Sequence, residues 1–117
     1  MQNNPNKTSN ERLINLALDF SPYPAWRYRK DGPYSGEAFR EDTLIPLLEK
    51  TDRIVVNIDG VAGLPSSFWE EVFGGLIRRH QKSPEFVRSH IMVQTSDKSL
   101  EPFTRLAYKF AEEAAHT

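Results

Sequence analysis

Ser66 and Ser67 are the residues on which chemistry could be built first. They follow a loop, Gly60 to Pro65, and open a run of helical periodicity. A hydroxyl at a helix start does one of three things: it caps the helix, it accepts a phosphoryl group, or it serves as a nucleophile. Capping is the plainest role, and Ser67 with Glu70 has the Ser-x-x-Glu spacing of a capping box. A phosphate there would be favoured by free backbone N–H groups and the helix dipole. A nucleophilic serine would need a histidine base, and His80, His90 and His116 stand in no spacing that supplies one. Nor do they form an i, i+4 pair or a Cys/His cluster, so no metal site is expected.

Arg40 is the second candidate: it would pair with Asp59 or Glu37, or contact an anion near Ser67. Asp59-Gly60 closes a strand as turn chemistry. Glu70 and Glu71 read as a cap and a solvated face. Gly74-Gly75 inside a helix costs roughly 1 kcal/mol per glycine relative to alanine, which calls for a compensating close approach of another backbone within the domain or for a flat docking surface. Trp26, Tyr28 and Tyr34 lie among Arg27, Arg29 and Lys30. Such a mixture stacks single-stranded nucleic acid in some proteins, but three cations are a small footprint and a half-exposed edge strand accounts for the pattern.

These residues need elements to hold them. Residues 1–10 are polar and read as a mobile tail, with 11–117 as a single domain. Leu13 to Phe20 has the apolar run of a strand, ended by Pro22 and Pro24. Trp26 to Arg29 alternates like a second strand joined to the first without a helix, which predicts a mixed sheet. Ser35 or Gly36 starts a helix carrying Phe39, Leu44, Leu47 and Leu48, with a kink or break at Pro46. Arg53 to Asp59 is β-branched and nearly continuous, as in a central strand covered on both faces. From Ser67, Phe68, Val72 and Leu76 fall four apart, flanked by Trp69, Phe73 and Ile77. His90 to Thr95 is a further strand. Phe103, Leu106, Ala107, Phe110, Ala111 and Ala114 form the clearest amphipathic period, with Ser99 as its cap. The fold class expected is α/β, a mixed four-stranded sheet packed by about four helices.

Composition narrows the function. The chain has 117 residues, 15 basic against 16 acidic side chains and no cysteine. That balance argues against a nucleic-acid binder working by charge alone. Lack of cysteine removes disulfides and thiolate chemistry. No apolar run is long enough to span a membrane, and the polar start does not read as a secretory signal, so a cytoplasmic protein is expected.

Two blocks carry a resemblance: Ser35-Gly36-Glu37-Ala38-Phe39-Arg40, and Ser66-Ser67-Phe68-Trp69-Glu70-Glu71-Val72-Phe73-Gly74-Gly75-Leu76. Together with Val55 to Val61 they resemble the STAS-like domain family of unknown function found in bacteria, over roughly residues 12 to 95. The family is more distantly similar to anti-sigma factor antagonists. In those, a strand runs into a loop ending Asp-Ser-Ser-Gly, and a serine at the following helix start is phosphorylated by a partner kinase. Here Pro65 stands in place of the acidic residue and Phe68 in place of the glycine. The resemblance implies a STAS-like fold and a non-enzymatic regulatory module with no cofactor. It implies Ser67, with Ser66 beside it, as phosphoacceptor, and a partner resembling a histidine-kinase-like ATPase. Asp59, Pro65, Phe68, Gly74 and Gly75 would form the docking surface. Two alternatives stand beside it: a homodimer burying the Gly74-Gly75 helix, and a small-ligand or enzymatic site with Asp59, Arg40, Ser67 and Glu70 around a pocket.

Overall fold

The computed structural model describes residues 10–116. The tail expected over residues 1–10 lies outside them, apart from Asn10. Strand β1 (Glu11–Asn15) is short because Leu16–Phe20 coils into a π-helical turn, closed by the Ser21 N–H on the Leu16 carbonyl. A long loop, with a single 3-10 turn at Arg29–Asp31, leads to helix α1 (Gly36–Phe39). The Ser35 hydroxyl caps α1 by accepting the Ala38 N–H at 3.1 Å. The helical path then widens into a π-helical stretch, Arg40–Leu44, and returns to α2 (Ile45–Leu48). Pro46 lies in the first turn of α2, so the interruption expected there takes the form of a widened turn just before the residue that has no N–H to give.

Strand β2 (Arg53–Asn57) is followed by helix α3 (Ser66–His80), helix α4 (Pro84–His90), strand β3 (Ile91–Gln94) and helix α5 (Glu101–Ala115). The strands pair in the order β1-β2-β3, both ladders parallel. Among the described residues the sheet therefore has three strands and is parallel, where a mixed four-stranded sheet was expected. The stretch expected as the second strand does not join it. Trp26 takes φ +80°, which breaks an extended run, and its ring lies over Gly32.

Register explains where the core forms. Ile14, Val56 and Val93 stand in one row and turn to the helices, as do Ile54 and Ile91. Leu13, Val55 and Met92 form the next row on the opposite face, and there Leu13 and Met92 are exposed. Val55 on that face is buried, but it stands outside the main core cluster, which lies with Ile54 and Val56 on the other face. On the buried side, Phe39, Phe68, Trp69, Phe73 and Leu76 fill the space between sheet and helices. The Trp69 indole N–H donates to the Phe103 carbonyl at 2.8 Å, which fixes α5 against α3. Gly36 lets α1 approach the backbone of α3: a Cβ there would lie 2.4 Å from the Phe68 carbonyl oxygen.

Candidate functional site

The segment between β2 and α3 is held by hydrogen bonds from three sides. The Asn57 side-chain oxygen accepts the Asp59 N–H at 2.8 Å, starting the turn. The Asp59 carboxylate accepts the Ser96 N–H at 2.9 Å, the Ser96 hydroxyl at 2.7 Å and the Thr95 hydroxyl. The Thr95 hydroxyl, then Ser96, holds the Asp59 carboxyl below its ordinary value. This ties the loop after β2 to the loop after β3. Gly60 takes φ +89°, a conformation that side chains resist. The Ala62 N–H donates to the Pro22 carbonyl at 2.8 Å, joining the long loop as well. Val61 and Leu64 turn inward, leaving Gly60, Ala62, Pro65 and Ser66 exposed.

Helix α3 starts two residues earlier than the capping-box spacing requires. Pro65 occupies the cap position and has no side chain with which to cap. Ser66 is exposed, Ser67 is half-buried, and neither hydroxyl makes a hydrogen bond among the described residues. The first helical bond runs from the Trp69 N–H to the Pro65 carbonyl at 3.1 Å. The N–H groups of Ser66, Ser67 and Phe68 precede it and have no acceptor within the helix.

Glu70 is not part of a cap. Its carboxylate pairs with Arg27, and with Arg78 at 2.7 Å. Glu71 is buried, not solvated: it accepts Arg40 at 2.8 Å, with Arg27 at 3.2 Å and Arg78 at 3.4 Å. Arg40 is 2% exposed. It also reaches the Glu71 carbonyl at 2.6 Å and the Glu41 carboxylate at 2.8 Å, and Glu41 is met by His80 at 2.6 Å. Arg40 thus pairs with neither Asp59 nor Glu37, and its donors are not offered to an anion near Ser67. The network was not read from the sequence because its partners are far apart along the chain, as Arg27 and Glu70 are.

The docking residues divide. Asp59 and Pro65 lie on the loop surface. Phe68 is fully buried, packed among Phe20, Phe39 and Trp69, and presents nothing to a partner. Gly74 and Gly75 are also covered. A Cβ on Gly75 would lie 2.0 Å from the Arg40 guanidinium, and one on Gly74 would meet the Glu70–Arg78 pair. Their close approach is to charged side chains within the domain, so a homodimer through these glycines has no surface to use. The pocket imagined around Asp59, Arg40, Ser67 and Glu70 does not form either. Arg40 lines a cavity of about 410 Å³ with Arg29, Glu37, Glu41, Arg79 and His80, apart from the other three. In the aromatic-basic segment, Arg27 is spent on Glu70 and Arg29 is held by Asp42 at 2.7 and 2.9 Å, leaving Lys30 over the Tyr28 ring.

The model of the STAS-like domain of unknown function (DUF4325) matches residues 35–101, more than half of the chain. The chain belongs to this family. The STAS-like match begins at the cap of α1 and ends at the start of α5, so it includes the loop after β2 and all of α3. The family is distantly related to anti-sigma factor antagonist domains. No curated protein and no solved structure matches the chain. Among the described residues of this STAS-like domain, no His, Cys, Asp and Glu cluster could hold a metal ion, and no helix is long and apolar enough to cross a membrane.

The ion-pair network should make the domain acid-sensitive. Burial raises the Glu70 carboxyl, but hydrogen bonds from Arg78 and Arg27 outweigh it and hold the group below its ordinary 4.5. Glu41 is likewise raised by burial and lowered further by His80 and Arg40. A depressed folded pKa contributes stability that is complete above the unfolded value and is lost as pH falls through the folded one. The urea midpoint should therefore hold steady above the ordinary glutamate pKa and decline below it. Glu70→Gln should flatten that decline, and an unchanged acid limb in the variant would show that Glu70 does not contribute.

Proposed function

We propose that this STAS-like domain is a non-enzymatic docking module of a bacterial regulatory circuit. Its partner-binding surface is the exposed part of the loop after β2, with Asp59 and Pro65, together with the first turn of α3. Ser67 is the phosphoacceptor, with Ser66 beside it, and the partner resembles a histidine-kinase-like ATPase. Such a circuit would operate in the cytoplasm.

One observation carries the reading: neither serine hydroxyl is used as a helix cap. With capping removed, two unbonded hydroxyls stand beside three N–H groups that lack helical acceptors. Phosphate on Ser67 would add about 1.5 to 2 negative charges. The helix start accommodates that charge, and the partner would meet a changed surface. The anchoring of Asp59 supports the same reading, because a loop already fixed loses little freedom on docking.

The test compares wild type, Ser67→Ala and Ser67→Asp, with Ser66→Ala as a separate variant. Partners are captured and the bound domain is mapped by mass spectrometry. An ATPase should be recovered, phosphate should map to Ser67 or Ser66, and Ser67→Asp should change affinity about tenfold, or roughly 1.4 kcal/mol. If no ATPase is captured and the three proteins bind alike, the reading fails.

A further inference from the structure

The two edges of the sheet are finished differently. On β3 the Tyr108 hydroxyl donates to the Ile91 carbonyl at 2.8 Å and accepts the Val93 N–H at 3.1 Å, and the Ile91 N–H donates to the Val87 carbonyl, so most outward groups of that edge are occupied. On β1 they are open. The Ile58 N–H donates to the Gln94 carbonyl at 3.0 Å, so even-numbered residues of β2 turn their backbone groups to β3 and odd-numbered ones to β1. Given the register Glu11↔Arg53 to Asn15↔Asn57, Arg12 and Ile14 then bond to β2, while Glu11, Leu13 and Asn15 face outward. The Asp19 carboxylate accepts the Asn15 N–H at 2.8 Å. Among the described residues, nothing takes the outward groups of Glu11 and Leu13.

We propose that this edge is a self-association site, where a second copy of the chain pairs β1 with β1 in antiparallel fashion about a two-fold axis at Leu13. The occupant follows from the residue pattern. Hydrogen-bonded antiparallel pairs must join outward-facing residues of both copies. Pairing Glu11 with its equivalent sets two carboxylates opposite each other. Pairing Glu11 with Leu13 sets Arg12 against Arg12. Like charges directly opposite are destabilising. Pairing Leu13 with Leu13 avoids both, with Glu11 opposite Asn15 and Arg12 opposite Ile14; the reciprocal bonds fall on the Leu13 pair, because the Asn15 N–H stays on Asp19. It also covers Leu13, which is 57% exposed in the monomer. The two three-stranded sheets become one, and each outer edge is a β3 bridged by Tyr108.

Sedimentation equilibrium of the full chain from micromolar to millimolar concentration tests the proposal. A monomer–dimer equilibrium is expected. Leu13→Pro deletes an N–H that the domain's own ladder does not use, a position where an edge strand tolerates proline. It should raise the dissociation constant at least about tenfold. Leu13→Lys leaves the backbone intact and sets two ammonium groups together. It should weaken the dimer in the same direction, with partial recovery at high salt. Circular dichroism reports folding of each variant, and if Leu13→Pro unfolds, Leu13→Lys alone decides the outcome. Met92→Lys lies on the same sheet face but away from the edge and should leave the dimer unchanged. A chain that stays monomeric throughout overturns the proposal. So does a dimer that Met92→Lys dissociates and both Leu13 variants spare, since its copies would then stack face to face. None of these outcomes involves Ser66 or Ser67, so the edge and the phosphoacceptor stand or fall separately.

Discussion

Arg40→Leu should lower the unfolding free energy by about 3 to 5 kcal/mol, the cost of removing one partner from a buried ion pair. The side chains of Arg40 and Glu71 are each 3% exposed and meet at 2.8 Å. Without the guanidinium, the Glu71 carboxylate stays buried with only the longer contacts of Arg27 at 3.2 Å and Arg78 at 3.4 Å. The Glu71 carbonyl also loses a donor at 2.6 Å, and the space over Gly75 empties. Replacing both charges behaves differently. Arg40→Leu combined with Glu71→Leu removes the uncompensated carboxylate, and buried pairs exchanged for apolar residues are often neutral or stabilising. The double variant should therefore be more stable than Arg40→Leu alone, with a coupling energy of about 1 to 3 kcal/mol. Urea unfolding of the three variants measures it. If the double variant loses the sum of the two single losses, the pair is not coupled and the charges act independently.

What the sequence disclosed followed from local pattern. Helices α3 and α5 and strands β2 and β3 were legible because their apolar residues repeat at helical or strand periods, and the helix start at Ser35 because its hydroxyl caps locally. The misreadings share another cause. Leu16 to Phe20 is as apolar as a strand, but the choice of a π-helical turn is made by packing Leu16 and Phe20 into the core. Trp26 to Arg29 alternates like a strand, yet Arg27 is drawn toward Glu70, 43 residues away. Gly74-Gly75 signalled a close approach of another backbone, but the groups that approach are side chains, the Arg40 guanidinium and the Glu70–Arg78 pair, and that depends on tertiary placement. The capping box failed by two residues. With Pro65 at the cap, Ser67 falls inside the first turn and Glu70 is free to meet Arg27 and Arg78.

The consequence for the candidate site is sharpest at Phe68, one residue from the proposed phosphoacceptor. Phe68→Ala should destabilise the domain by about 3 to 5 kcal/mol, the range for emptying a buried aromatic position. Phe68 is fully buried, its ring 6.0 Å from Phe20, 6.3 Å from Phe39 and 6.2 Å from Trp69, centroid to centroid. It therefore joins the turn after β1, helix α1 and helix α3, and its loss loosens all three. Ser66→Ala, on the exposed side of the same helical turn, should change stability by no more than about 0.5 kcal/mol. The first turn of α3 thus has an inward side that holds the fold and an outward side available to a partner. Comparing urea midpoints of the two variants separates these roles. If Phe68→Ala keeps wild-type stability but loses partner binding, Phe68 belongs to the docking surface after all. If it unfolds readily while Ser66→Ala does not, any loss of binding in Phe68→Ala reports damage to the core, and the search for contact residues narrows to the exposed loop and the serines.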